Sequence, residues 1–245
     1  GFKSLIRALI ATGAPFVFAP GVIHLPSVPA YRKANRIDMG TADKVCSVAA
    51  AIAEQAERLN IGYDQSAFIL LELGGAFSAA LAVADGQIID GAGGSSGPLG
   101  FRAAGALDGE AAYLLGPTFS KDTVFSGGAR DIAGADARAA DGQALNFDQW
   151  SAGLESSRPG LREGWLAWLE SIVKSALALT AVLPQPHEIL LSGRYSLSPA
   201  IEQALSQRLS AIAPVRRLIG LRGRDGSPLR AKSAAQGAAL IANGL

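Results

Sequence analysis

A carboxylate followed by two glycines is the part of this sequence with the clearest chemical potential. Glu72 ends one apolar run, and Gly74 and Gly75 separate it from the next. A tight glycine turn exposes backbone N–H groups that no side chain blocks, and such groups suit the oxygens of a phosphate. A carboxylate two residues away can hold Mg²⁺ through water. These residues alone leave two interpretations open, a phosphate-binding turn and an ordinary β-meander with a glycine corner.

Charged side chains that could act on a phosphoryl group lie upstream, in and just after a loop-like segment at residues 21–36. Arg32 and Arg36 are the candidate catalytic cations, with Lys44 as a further one, and Asp38 is the candidate catalytic carboxylate. Phosphoryl transfer depends mainly on positioning and on neutralising the charge of the moving group, and cations of this kind do the second. His24 lies in the same segment and is a weaker candidate for stabilising the product.

The hydrophobic pattern predicts the elements that must position these residues. Asp85 and Gly86 predict a two-residue hairpin turn, so that residues 68–90 form a three-strand meander. A loop at residues 91–105 contains six glycines and could bind a ligand. Alternating strands and helices after the meander indicate α/β construction with crossover connections. The predicted helices are 2–12, 41–59, 106–116, 161–183, 199–212 and 231–243, and the remaining predicted strands are 15–19, 188–191 and 215–219.

Composition restricts the classes of protein to which the chain can belong. Of its 245 residues 49% are hydrophobic and 18% are charged, which is typical of a globular protein with a large core. The net charge is +1 and no run of Lys or Arg is present, so neither a nucleic acid nor a membrane surface is an expected partner. The single cysteine, Cys46, excludes an internal disulfide. We therefore expect a cytoplasmic protein.

The order of the motifs resembles the second domain of the actin, hexokinase and heat-shock-chaperone ATPase superfamily. Within it the chain is most similar to the acetate and butyrate kinases, and specifically to a family of predicted butyrate kinases. The resemblance extends over nearly the whole chain from Gly21 onward. The stretches that carry it are Glu72-Leu-Gly-Gly-Ala with Ser78, Asp90-Gly-Ala-Gly-Gly-Ser-Ser-Gly-Pro98, Ile189-Leu-Leu-Ser-Gly-Arg194, Ile212-Ala-Pro-Val215 and Ala234-Ala-Gln-Gly-Ala238.

The resemblance implies a ribonuclease H-like ATPase domain at residues 61–245. Residues 1–60 would then be the remnant of a preceding similar domain with a connecting helix, the chain being truncated at its N-terminus. The implied reaction is ATP- and Mg²⁺-dependent phosphoryl transfer to a short-chain carboxylic acid, forming an acyl phosphate. A homodimer is also implied. We expect the truncated form to be inactive alone.

The resemblance also assigns site residues. Gly74, Gly75 and Ala76 would form a phosphate loop, with Glu72 as the metal residue. Ser192, Gly193 and the N-terminus of the following helix would line a purine pocket, which Gly237 would close. Arg194 departs from the superfamily pattern, which usually has a glycine there; its side chain could stack on adenine, touch a phosphate or narrow the pocket. The implied cofactor-binding residues are Gly74, Gly75, Ala76, Ser78, Ser192, Gly193, Arg194 and Gly237.

Asp38-Met-Gly-Thr41 has the letters of the superfamily's first phosphate loop, but it lacks the flanking strands of that loop. Thr41 instead opens a helix, whose N-terminus could face an anion. We therefore reject the assignment and expect the true first loop upstream.

Two further functions stay open. One is a sugar- or polyol-type kinase, and the other is an ATP-binding sensor or activator without catalysis. A carboxylic acid has a pKa of about 5 and needs no general base, whereas a hydroxyl acceptor does. An essential basic role for Asp38 would therefore favour the sugar- or polyol-type kinase.

Overall fold

A five-stranded sheet with the order β3-β2-β1-β4-β5 forms the centre of the protein. The computed structural model describes residues 2–223 and 225–244. β2 runs antiparallel to both of its neighbours, while β4 is parallel to β1 and to β5. The strands are β1 Phe68–Leu73, β2 Ser78–Ala84, β3 Gln87–Ala92, β4 Glu188–Ser192 and β5 Val215–Arg217.

Helices follow the predicted positions closely, and the sheet confirms the predicted meander and the two later strands. The predicted strand at residues 15–19 is wrong. Phe16, Val17 and Phe18 are exposed there in irregular backbone, because no neighbouring strand pairs with them. The α-helices of the described residues are α1 Phe2–Ala11, α2 Ala42–Leu59, α3 Gly109–Leu115, α4 Lys121–Val124, α5 Ala129–Ala133, α6 Phe147–Ser151, α7 Pro159–Thr180, α8 Pro199–Leu209 and α9 Ser233–Ala242.

Helices cover both faces of the sheet, because alternate residues of β1 are apolar on each side. Ile69 and Leu71 face one core, to which α7 contributes Trp165 and Trp168. Phe68 and Leu70 face the other core, which contains apolar residues of α2. This three-layer arrangement confirms the α/β class predicted from the alternating elements.

The helix predicted to connect two domains, α2, packs on the sheet and crosses α9 at close range. A Cβ on Gly237 of α9 would lie 1.6 Å from the carbonyl oxygen of Cys46 in α2, so only glycine fits. Glu54 of α2 accepts hydrogen bonds from the N–H groups of Ile219, at 2.8 Å, and Gly220 after β5. The division at residue 60 stays a prediction, but α2 shares its core with the following strands.

One edge of the sheet collects most of the loops that carry candidate residues. β1, β3, β4 and β5 all point the same way, so their carboxyl ends and the beginning of β2 share this edge. In open α/β sheets ligands bind at the carboxyl ends of the strands. The edge therefore brings together the glycine corner after β1, the glycine-rich loop after β3 and the turn after β4.

Candidate functional site

The glycine corner at residues 74–77 is a tight turn with an open tip. The N–H of Gly74 donates to the carbonyl of Phe77 at 3.1 Å, and a Cβ on Gly74 would lie only 2.6 Å from that oxygen. Gly75 is exposed at the tip. Within the part of the chain that the structure describes, the N–H groups of Gly75 and Ala76 donate to no protein acceptor. Adjacent N–H groups of this kind can bind an anion.

The glycine-rich loop supports this corner from the other side. The carbonyl of Ala76 accepts hydrogen bonds from the N–H groups of Arg102, at 3.0 Å, and Ala103, at 3.2 Å. A Cβ on Gly100 would lie 2.1 Å from the same carbonyl oxygen. The glycine content of the loop thus has a packing reason, since the two backbones touch.

Residues 100–102 are in turn held by the beginning of α5. The N–H groups of Gly128, Ala129 and Arg130 donate to the carbonyls of residues 102, 100 and 101 at 2.9 to 3.1 Å. α5 itself lies against α7, where a Cβ on Gly164 would be 2.3 Å from the Ala129 carbonyl. The corner is therefore connected to the longest helix through continuous backbone contacts.

Ser192 and Gly193 lie beside the corner, as the phosphate-loop interpretation requires. Ser192 pairs with Glu72 across the parallel strands, and its hydroxyl donates a hydrogen bond to the Glu72 carboxylate. Gly193 has a φ of 85°, and a Cβ there would lie 2.6 Å from the Leu73 carbonyl oxygen. Both features require glycine, and the following residue is thereby directed toward the corner.

Arg194 lies next to the tip of the corner. Its Cδ is 3.8 Å from the position that a Cβ on Gly75 would take. Its guanidinium carbon lies 5.7 Å from the centroid of the Phe147 ring, a cation–π distance. The side chain is exposed to solvent.

Arg102 and Arg130, which the sequence did not single out, belong to segments that hydrogen-bond to the corner and to the loop that supports it. Burial raises the pKa of the Tyr195 phenol, and the positive charges of Arg194, Arg102 and Arg130 oppose that rise. Arg130 pairs with Asp131 at 3.1 Å, whereas Arg102 is exposed and makes no ion pair among the described residues. The position of Arg102 inside the glycine-rich loop was the available signal.

Asp38 is engaged in holding the glycine-rich loop. One carboxylate oxygen accepts from the N–H of Gly40 at 3.1 Å. The other accepts from the N–H and the hydroxyl of Ser95 at 3.0 and 3.1 Å. A Cβ on Gly93 would lie 1.9 Å from the first oxygen. In this structure the predicted catalytic carboxylate thus anchors a loop, and its catalytic role stays a prediction.

The two predicted catalytic arginines lie on the β3 side. Arg32 donates to the carbonyl of Ile89 at 2.8 Å, and Arg36 is exposed. No hydrogen bond or ion pair in the described chain joins either side chain to the corner. Lys44 pairs with Asp43 at 2.7 Å.

Two predicted cofactor-binding residues are buried away from the open tip. Ser78 is fully buried, and its hydroxyl accepts a hydrogen bond from the Trp168 indole at 3.1 Å. Gly237 is buried against α2. Packing therefore explains both residue types, and the predicted role of both residues in cofactor binding stays a prediction.

Glu72 is the residue that could reach a metal at the corner. Among the described residues no group of three or more His, Cys, Asp and Glu side chains could hold a metal ion. Mg²⁺ usually keeps several waters and binds one or two carboxylates together with substrate phosphates. One half-buried carboxylate, fixed by Ser192, fits that role but does not form a metal site on its own.

Two hollows of the surface are lined by residues other than those of the corner at residues 74–77. One of about 590 Å³ follows the beginning of α7, and no corner residue lines it. The corner is instead an open turn with two N–H groups that no described residue accepts from and with the Arg194 stem beside its tip, so its chemistry, not its depth, identifies it. No helix in the described ranges has the length and apolar character that crossing a membrane requires.

Comparison with solved structures confirms the predicted ribonuclease H-like fold. A propionate kinase from Francisella tularensis matches with a TM-score of 0.62 and 13% identity, over 91% of this chain and 60% of its own. An acetate kinase from Porphyromonas gingivalis matches with a TM-score of 0.59 and 13% identity, over 71% of this chain and 43% of its own. A Listeria monocytogenes protein provisionally assigned as an N-acetylmannosamine kinase matches with a TM-score of 0.51 and 14% identity, over 98% of this chain and 84% of its own.

At these identities the likeness establishes the fold alone. The chain spans about half the length of the acetate and propionate kinases that it matches. Residues 1–245 match the family described as Protein of unknown function (DUF1464), and the chain belongs to that family. A comparison with curated proteins gives no match.

Proposed function

We propose that this chain is the nucleotide-binding part of an ATP-dependent phosphotransferase that converts a short-chain carboxylic acid, such as butyrate, into an acyl phosphate. The observation that carries the proposal is the shared edge of the sheet. There the unpaired N–H groups of Gly75 and Ala76 lie beside Ser192 and Gly193, with the Arg102 backbone bonded to the corner. These are the groups that a bound polyphosphate requires.

Each group then has a defined part in the reaction. The N–H groups of Gly75 and Ala76 hold the terminal phosphates, and the Arg102 guanidinium neutralises charge that develops on the transferred phosphoryl group. Glu72 holds Mg²⁺ through water, and the metal, when bound, screens the phosphate charges. Gly193 lets the nucleotide approach the backbone closely.

The state of Asp38 supports a carboxylate as the acceptor. A hydroxyl acceptor needs a general base, and Asp38 is the carboxylate predicted for that work. Its two oxygens accept three hydrogen bonds from Gly40 and Ser95, which hold the group against the loop. An acid acceptor is already ionised and needs no base.

The solved acetate and propionate kinases support the same choice of acceptor, at the level of a shared fold. The provisionally assigned N-acetylmannosamine kinase supports the sugar kinase alternative in the same way. Since the chain spans about half the length of the carboxylate kinases, we assign to it the nucleotide side of the reaction.

The test is ATP-dependent acyl-hydroxamate formation by the natural full-length protein, with Mg²⁺, hydroxylamine and straight-chain acids of two to six carbons. We expect acid-dependent hydroxamate and an equal amount of ADP. Arg102→Met should lower kcat about 100-fold, because it removes a charge that acts in the transition state. The matched control is Arg208→Met. Arg208 lies in the last turn of α8, which runs from the edge of the sheet that carries the candidate site to the opposite edge. If ADP is released only with sugars or polyols, the protein is a sugar- or polyol-type kinase and the proposed function is wrong. If the protein binds ATP without turnover, it is a sensor or activator.

A further inference from the structure

Arg194 has a side chain fixed in place although it is exposed. Its guanidinium lies over the Phe147 ring, and that ring is 5.0 Å from the Tyr195 ring at an interplanar angle of 35°. Tyr195 is buried and packs in turn against Phe101 and Trp168. The arginine is therefore supported by an aromatic cluster that reaches into the core, which restricts the motion of the guanidinium.

No residue that the structure describes accepts a hydrogen bond from this guanidinium. In residues 2–223 and 225–244, Arg194 takes part in no ion pair. Its guanidinium makes a cation–π contact with the Phe147 ring. A stacked guanidinium keeps its N–H groups in its own plane, where they can bind an anion with two parallel hydrogen bonds.

The position of Arg194 selects the part of a nucleotide that it can contact. Its Cδ passes 3.8 Å from the Cβ position of Gly75, so its stem crosses the tip of the corner. In a nucleotide the base is separated from the terminal phosphates by the ribose. A cation beside the phosphate-binding corner is therefore placed for the phosphates and not for the base.

We propose that Arg194 binds the polyphosphate chain of the nucleotide together with the N–H groups of Gly75 and Ala76. This inference rests on the proposed function, because it takes the corner as the phosphate site. Its consequence is that affinity depends strongly on the number of phosphates. Phe147 acts as a positioning residue, since it holds the guanidinium and does not contact the ligand.

The experiment measures dissociation constants of ATP, ADP, AMP and inorganic tripolyphosphate for the full-length protein by calorimetry. Loss of a charge-assisted hydrogen bond typically weakens binding by about tenfold or more. For Arg194→Met we therefore expect about tenfold weaker binding of ATP and tripolyphosphate, and less than about twofold for AMP. Arg194→Lys should recover part of the loss, because it keeps the charge but not the planar fork.

Two further variants separate positioning from general charge. Phe147→Leu should weaken the binding of ATP about threefold, because the guanidinium loses its cation–π contact. It should leave the dissociation constant of AMP unchanged. Arg208→Met removes the same charge at the opposite edge and should change no dissociation constant. All of these variants must melt as the wild type does before their affinities are compared.

The outcomes decide between this inference and the proposed function. If Arg194→Met weakens the binding of ATP and of AMP equally, the arginine contacts the base. If it weakens neither, the arginine contacts no part of the nucleotide. Either result overturns the inference alone. Arg194-dependent ATP binding without acyl-phosphate formation would overturn the proposed function and leave the inference standing. A wild type that binds neither ATP nor tripolyphosphate would overturn both.

Discussion

The contact between α2 and α9 provides a sharp test of the structure through Gly237→Ala. The new Cβ would lie 1.6 Å from the Cys46 carbonyl oxygen, and real Cβ atoms essentially never come closer than 3.0 Å to such an atom. The two helices must therefore separate by about 1.4 Å, at a backbone atom that cannot rotate away, which is a severe case of overpacking. We expect the free energy of unfolding to fall by about 3 kcal/mol. The better helix propensity of alanine offsets part of this loss.

Thermal and urea unfolding measure this loss. For a chain of this size about 3 kcal/mol corresponds to a fall in Tm of about 6 to 12 °C. The matched control is Gly109→Ala, at the beginning of α3, where nothing lies within 4 Å of the added Cβ. That variant should be neutral or slightly stabilised, since alanine favours a helix.

Nucleotide affinity gives the same variant a second use. If Gly237 only separates two helices, the folded fraction of Gly237→Ala should bind ATP with little change. An unchanged Tm would refute the packing argument. An unchanged Tm together with lost affinity would return Gly237 to the purine pocket that the resemblance implied.

Three further predictions concern polar contacts. Ser78→Ala leaves the Trp168 N–H buried without its acceptor, so the free energy of unfolding should fall by about 2 kcal/mol, and an unchanged urea midpoint would contradict the contact. Burial raises the pKa of Glu54 above its ordinary value of 4.5. The folded state therefore keeps this proton to a higher pH than the unfolded state does, and stability should fall as the pH rises above about 4.5. Glu54→Gln should remove part of that fall, and parallel pH profiles of the variant and the wild type would refute it. Asp38→Asn places an amide where a carboxylate accepts hydrogen bonds, so hydrogen exchange at the Ser95 amide should become about tenfold faster, whereas wild-type protection would mean that the loop does not depend on Asp38.

Much of the sheet could be predicted because its signals are local. Asp85 and Gly86 sit at a turn that demands positive φ, and both have it in the structure, at 52° and 68°. Gly74 and Gly75 end β1 where expected. The same reasoning failed for Phe16, Val17 and Phe18, since an apolar run becomes a strand only when another strand is available to pair with it.

The candidate site was harder to predict because its contacts depend on the paths of loops. Nothing in the spacing of Arg102 indicates that its backbone meets Ala76, and Arg102, Arg130 and Arg194 come from three separate segments. The burial of Ser78 was missed for a related reason. Its partner, Trp168, is 90 residues away along the chain. The sequence around Ser78 therefore does not indicate that its hydroxyl has a buried partner.

The backbone connection from α7 through α5 to the glycine corner has an implication for natural variation. A substitution at Gly164 or Ala129 touches no ligand group, yet it would shift residues 100–103 and with them the carbonyl of Ala76. Sequence drift inside this hydrophobic interface can thus change the anion affinity that we propose for a distant turn, without any change among the residues that face the anion.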